Sequence, residues 1–174
     1  MRKIITIITA VMLSSFTAQA TATAQAIISQ SSEPQLYCLA QNIYYEARGS
    51  SRADQMAVSD VVLNRVKDTR YPNTICEVVY QGKQRPSWKD PNKMVMVRNM
   101  CQFSWYCDGK KDEPPEGDAW RNAQMVAYEM YYLYKDSNIT DGATHYHAFY
   151  VKPAWAKDFI MRGRIGDHIF YKQK

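Results

Sequence analysis

Glu46 stands in Ile43-Tyr44-Tyr45-Glu46-Ala47-Arg48-Gly49, a single carboxylate among aromatic and small residues just ahead of a glycine. The apolar residues leading into it, Leu36, Leu39, Ala40, Ile43 and Ala47, follow the i, i+3, i+4, i+7 spacing of an amphipathic helix. Glu46 lies seven residues after Leu39 and three after Ile43, so it falls on the buried edge of that stripe rather than on its wet face. Two chemistries suit a carboxylate there. One is a structural ion pair with Arg48 or Arg65. The other is a carboxyl whose pKa is raised by desolvation, so that it carries a proton near neutral pH and can act as a general acid. A competing constellation is His145, His147 and His168. Residues two apart on a strand point the same way, so His145 and His147 could share a zinc ion, although no H-E-x-x-H motif is present.

The elements that must position these groups can be read from periodicity and punctuation. The first helix is expected to end at Gly49, and Ser51-Arg52-Ala53-Asp54 reads as a capping box opening a second helix through Val58, Val61, Val62 and Val66. Thr74 to Glu77 repeats the capping pattern for a short helix closing at Gly82. From Lys83 to Gly117 periodicity disappears, and four prolines with many lysines predict a long irregular excursion. Trp120, Ala123, Ala127, Met130 and Tyr134 mark another helix, capped by Asp118. Thr144 to Val151 has the aromatic and β-branched content of a strand, and His168 to Lys172 could pair with it.

Residues 1–20 read as a secretory signal peptide: Met1-Arg2-Lys3, an apolar run from Ile4 to Leu13, and Ala18-Gln19-Ala20 before the cleavage point. Residues 21–33 read as a flexible mature N-terminus, and 34–174 as one domain. The chain is therefore expected in the periplasm or outside the cell, without stable membrane insertion. Removing residues 1–20 takes two of the 22 basic residues and none of the 17 acidic ones, leaving +3. That charge is scattered through the chain and gives no nucleic-acid stripe. Four cysteines in an exported chain argue for two disulfides. Of three possible pairings, Cys101 with Cys107 and Cys38 with Cys76 is the expected one. Asp54 and Asp60 read as capping or exposed residues, Glu77 as a capping-box residue, and the acids of 108–116 as loop.

Taken in order, "IYYEARG", "VVLNRV", "YPNTICEVVYQ", "QFSW", "YHAFYVKPAWAK" and "RIGDHIFYK" resemble the cell-wall hydrolases typified by the spore-cortex-lytic enzyme SleB, from Leu36 to Lys172. The resemblance implies an α+β, lysozyme-like domain, mainly helical with a short antiparallel sheet. It also implies cleavage of the peptidoglycan glycan strand, usually as a lytic transglycosylase, with no cofactor and no metal. Glu46 matches the family's catalytic glutamate. Gln102 and Ser104 are implied to line the cleft, and Tyr146 and His147 to orient the sugar. Phe103 and Trp105 are equally well read as packing residues. His168 is expected to be a hydrogen-bonded structural histidine, Asn64 to satisfy a loop backbone, Arg65 to pair with an acid, and Asn73 and Thr74 to cap. The lysine-rich stretch from Lys83 to Lys111 departs from the family pattern. A hydrolytic muramidase, a zinc-dependent amidase and a catalytically inert wall-binding module are the competing readings.

Overall fold

The structure, a computed structural model, describes residues 33–174. The expected signal peptide and residues 21–32 lie outside the described residues. Glu33 is tied down rather than loose, because its carboxylate accepts hydrogen bonds from the Tyr131 and Tyr132 hydroxyls, each at 3.2 Å.

Four helices and five strands follow in the order α1 (Pro34–Ala47), α2 (Arg52–Lys67), α3 (Ile75–Val79), β1 (Gly82–Pro86), β2 (Met94–Cys101), α4 (Asp118–Tyr132), β3 (His145–Ala148), β4 (Ile160–Ile165) and β5 (His168–Lys172). Short 3₁₀ turns span Ser104–Cys107 and Ala154–Asp158. The arrangement is α+β, as expected. α1 buries its apolar stripe against α4 and α3, forming a core with Leu39, Ile43, Val62, Val78, Val79, Phe103, Trp105, Trp120 and Met130. A second, smaller core of Ala47, Ala57, Val58, Val61, Ala143 and Phe170 joins α2 to the three-stranded sheet. Phe103 and Trp105 are thus packing residues.

The expected caps hold in part. Ser51 caps α2 by accepting from the Asp54 amide at 3.3 Å, and Thr74 caps α3 through the Glu77 amide. The Asp54 side chain does not return to Ser51, however, and is fully buried elsewhere. At α4 the cap position is Gly117, and Asp118 is the first helical residue, where its charge favours the N-terminal dipole. Asp60, expected near the surface, is also buried, and accepts from the amide and the hydroxyl of Thr140 at 2.9 and 2.6 Å.

The stretch expected to be irregular contains a β-hairpin: β1 and β2 pair antiparallel and, among the described residues, with no other strand. Its sequence lacks alternation because both faces are largely exposed, so no core imposes a period of two. In the other sheet the order is β3-β5-β4, with Tyr146 opposite Phe170 and His147 opposite Ile169. The β3–β5 pairing was anticipated. The edge strand β4 was not, since Met161-Arg162-Gly163-Arg164 is polar and mostly exposed or half-buried. Both disulfides form as expected, Cys38–Cys76 and Cys101–Cys107. No helix among the described residues is long and apolar enough to cross a membrane.

Candidate active site

Glu46 sits on the last turn of α1, at the seam between the two cores. The neighbouring Ala47 belongs to the smaller core, and Tyr146 packs against both. Asn42, one helical turn earlier, shares its face. The groups that act on the Glu46 charge come from three other places: Arg65 on α2, Tyr146 on β3 and His168 on β5. Burial raises the Glu46 pKa above its ordinary value near 4.5, and this outweighs the Tyr146 hydroxyl, His168 and Arg65, all of which lower it. Among the described residues no ion pair within 4 Å reaches Glu46. The structural-pair alternative therefore lacks its partner. Arg48 instead lies over the Tyr44 ring at 5.0 Å.

Arg65 does not pair with an acid as expected. Its Nε donates to the Thr144 carbonyl at 2.7 Å, and its guanidinium lies over the rings of Tyr71 and Phe103 at 5.3 and 5.2 Å. Three polar atoms around Glu46 are buried without a hydrogen-bond partner among the described residues: Asn42 Nδ2, Arg65 Nη1 and the Tyr146 hydroxyl. The Tyr146 hydroxyl faces Glu46 closely enough to act on its charge yet makes no bond of ordinary geometry with it. Burial raises the pKa of this phenol, so it stays protonated and can donate. Buried polar groups are usually satisfied. A cluster of unsatisfied donors beside a carboxyl has the composition of a site that a polar ligand completes.

The surrounding residues fix this cluster. Trp105 Nε1 donates to Asn42 Oδ1 at 3.2 Å and its ring stacks on Tyr45 at 4.6 Å, which orients the Asn42 amide. His168 donates from Nδ1 to the Asp54 carboxylate at 2.9 Å, and the Asp167 amide donates to the same carboxylate at 3.0 Å. Gly166, at φ +56°, packs on Asp54 so closely that an added Cβ would lie 2.7 Å from it. His168 in turn meets Tyr146 edge to face at 5.0 Å. Asp54 thus holds His168, and His168 supports the ring that faces Glu46. The structural role expected for His168 is present, as is that of Asn64, which donates to the Ala143 carbonyl at 3.0 Å.

Of the sequence-predicted site residues, Tyr146 comes together with Glu46. His147 does not, because neighbouring residues of β3 face opposite ways. Its ring stacks on Tyr171 at 5.2 Å, and its Nε2 lies 3.1 Å from the Tyr171 hydroxyl. Gln102 and Ser104 are exposed beside buried Phe103 and Trp105, on the segment that carries Phe103 to Tyr146. Sequence reasoning missed Asn42, for which the available signal was its i, i+4 spacing to Glu46. His145 and His147 share one side of β3, both against Trp155, and His168 stands apart from them. His145 packs on Trp155 and Phe159, His147 on Tyr171, and His168 binds Asp54, so no cluster of three His, Cys, Asp or Glu within reach of one ion occurs among the described residues. Burial, with Arg65 and Arg70 nearby, pushes the His145 pKa down to about 4.

A groove of about 840 Å³ runs between α3, the loop following α2 and the hairpin, lined by Tyr71, Asn73, Glu77, Tyr80, Gln84 and Met96 among others. Glu46 is not part of its lining. One of its walls, Tyr71, also packs against the Arg65 guanidinium.

Comparison with known proteins identifies the family and the fold. A spore cortex-lytic enzyme of Bacillus cereus is 26% identical over 141 residues, 81% of this chain and 45% of that protein, so the chain spans less than half the length of this curated relative. The fold resembles the catalytic domain of the Bacillus cereus SleB protein, with TM-score 0.58 and 23% identity over 81% of this chain and 91% of that one. It also resembles the catalytic domain of the germination-specific lytic transglycosylase SleB from Bacillus anthracis, with TM-score 0.56 and 23% identity over 81% and 96%. A family model for cell wall hydrolases matches residues 49–171, a span that begins just after Glu46. Since that span covers most of the domain, the chain belongs to the cell wall hydrolase family.

Proposed function

We propose that this protein cleaves the glycan strand of peptidoglycan as a lytic transglycosylase, with Glu46 as its acid and base. The supporting observation is the Glu46 carboxyl itself, its pKa raised by burial and surrounded by unsatisfied donors from Asn42, Arg65 and Tyr146. A protonated carboxyl near neutral pH can donate to the glycosidic oxygen as the bond to C1 of the muramic acid breaks. The resulting carboxylate then accepts the proton of the C6 hydroxyl of the same sugar while that oxygen closes on C1. The intramolecular attack needs no second carboxylate, and a substrate held in place supplies its rate advantage.

A hydrolytic muramidase would need a second acid as nucleophile or base. The two buried aspartates of α2 are already engaged, Asp54 with His168 and the Asp167 amide, Asp60 with Thr140 and Asn64. This favours the single-glutamate route. Peptidoglycan is the partner in this reading, and an exported location follows from it.

Mass spectrometry of digested sacculi is the deciding experiment. Products ending in 1,6-anhydro-N-acetylmuramic acid, one water lighter than hydrolysed ends, are expected. Reducing-end muramic acid as the main product would replace transglycosylation by hydrolysis. Activity lost to a chelator and restored by zinc would replace both by the amidase.

A further inference from the structure

The β1–β2 hairpin carries the domain's positive charge. Residues 82–101 hold Lys83, Arg85, Lys89, Lys93 and Arg98 against Asp90 alone, a net +4. The rest of residues 33–174 holds 15 basic and 16 acidic residues, a net −1. A charge that looks scattered along the sequence is therefore concentrated on one projection of the fold. All five basic side chains are exposed, and none forms a salt bridge among the described residues. Asp90, the single acid, is engaged at the tip, where its carboxylate accepts from the Asn92 amide at 3.1 Å.

The same tip exposes the most accessible large apolar side chain of the domain. Trp88 is 89% exposed, with the Arg85 guanidinium 5.5 Å from its ring centre. Burial of the indole does not account for its position, and a bare tryptophan is costly to keep in water. The tip has a defined shape: the Ser87 amide donates to the Lys93 carbonyl at 2.8 Å, and the Lys93 amide to the Asp90 carbonyl at 3.0 Å. At the other end Cys101 is bound to Cys107, and Gly82 lies so close that an added Cβ would be 2.7 Å from the Cys101 sulfur. A two-stranded hairpin is marginal by itself. This one is anchored at its base and projects unneutralised cations around an aromatic ring.

We infer that the hairpin is a wall-binding finger: Trp88 stacks on sugar rings, and Lys83, Arg85, Lys89 and Lys93 bind the carboxylates of the peptide stems of peptidoglycan. The inference rests on the proposed substrate but concerns attachment, not bond cleavage. The wall polymer repeats an apolar sugar face beside free carboxylates, which matches an aromatic ring flanked by unpaired cations. An anionic membrane surface would share the charge but needs apolar area to insert. Besides Trp88, the hairpin exposes only two large apolar side chains, Met94 and Met100, each about half accessible, set against five exposed cations. The finger also borders the groove that runs along α3 and the loop following α2, because Gln84 and Met96 line it.

The test uses the full exported chain in three forms: unchanged, Trp88→Ala, and Lys83, Arg85, Lys89 and Lys93 all replaced by Gln. Each is measured for cosedimentation with purified sacculi at low and high salt, for binding to phosphatidylglycerol vesicles, for melting temperature, and for cleavage of a short soluble glycan fragment. The fourfold variant should bind sacculi about tenfold more weakly with its salt dependence flattened, since exposed ion pairs are individually weak and screened. Trp88→Ala should lose about fivefold, in keeping with the worth of one stacked ring. Melting and fragment cleavage should stay unchanged, and sacculi with amidated carboxylates should bind the unchanged protein as weakly as native sacculi bind the fourfold variant. Unaltered binding of the fourfold variant to sacculi would overturn the inference, and so would hairpin-dependent binding to vesicles in place of sacculi. Hairpin-dependent binding to sacculi by a chain that cleaves no fragment would refute the proposed function and leave the finger standing.

Discussion

Replacing Tyr146 by phenylalanine separates a functional hydroxyl from a structural one. The ring keeps its neighbours, Phe103 at 6.5 Å, Phe170 at 5.7 Å and His168 at 5.0 Å, so packing is unchanged. The hydroxyl it loses is buried and has no hydrogen-bond partner among the described residues. An unsatisfied buried polar group costs about 1–3 kcal/mol, so at a pH where Glu46 is protonated and draws no bond from the hydroxyl, Tyr146→Phe should stabilise the domain by about 1 kcal/mol. For a domain of this size that raises the melting temperature by about 3 °C. Activity should move the other way. If the hydroxyl is satisfied by substrate, its removal should lower kcat/KM by about ten- to a hundredfold, equivalent to roughly 1.4–2.7 kcal/mol of barrier. The pH profile adds a signature. Tyr146 lowers the Glu46 pKa, so its loss should carry the basic limb of the profile, where Glu46 loses its proton, to higher pH. Calorimetry and turbidity clearing of sacculi across pH read all three effects. A less stable Tyr146→Phe with unchanged activity would refute the reasoning, because the hydroxyl would then be bonded in the folded chain and idle in the reaction.

Glu46→Gln should fold and lose activity by about a thousandfold or more, since the amide keeps the shape but cannot transfer the proton. Because burial raises the Glu46 pKa, ionisation disfavours the folded state: the penalty is absent below the ordinary value near 4.5 and grows as pH rises through the raised one. Glu46→Gln should therefore melt higher than the unchanged protein at neutral pH, with the gap closing below about pH 4.5, which melting curves across pH will show. Asp54→Asn should cost about 2 kcal/mol by weakening the charged bonds to His168 and the Asp167 amide, with a melting temperature some 6 °C lower. Cys101→Ser with Cys107→Ser should speed amide exchange in the hairpin and around Trp105 before it affects α1, because a short-loop disulfide contributes roughly 2–4 kcal/mol at most. Hydrogen exchange followed by mass spectrometry checks the order.

Several features follow from local periodicity and punctuation alone. The apolar stripe of α1 placed Glu46 on a buried edge, Ser51 and Thr74 capped their helices, and the aromatic run at 144–151 pointed to a strand, which forms over its middle part, His145–Ala148. Those signals are local because a helix or a half-buried strand repeats its environment every few residues. The hairpin was illegible for the complementary reason: with both faces in water, nothing constrains its residues to alternate. Which side chains meet is fixed by long-range packing. The alternation of β3 sends Tyr146 toward Glu46 and His147 toward Tyr171, although the two are neighbours in sequence. Asp54 looks like a capping acid from its place in the chain, yet it is buried because the turn at Gly166 brings His168 and the Asp167 amide onto it. Arg65 appears to need an acid and instead meets a carbonyl and two aromatic rings. A side chain's type limits the partners it can accept, but the partner itself arrives from a distant part of the chain, and only the packing of the whole domain fixes which one it is.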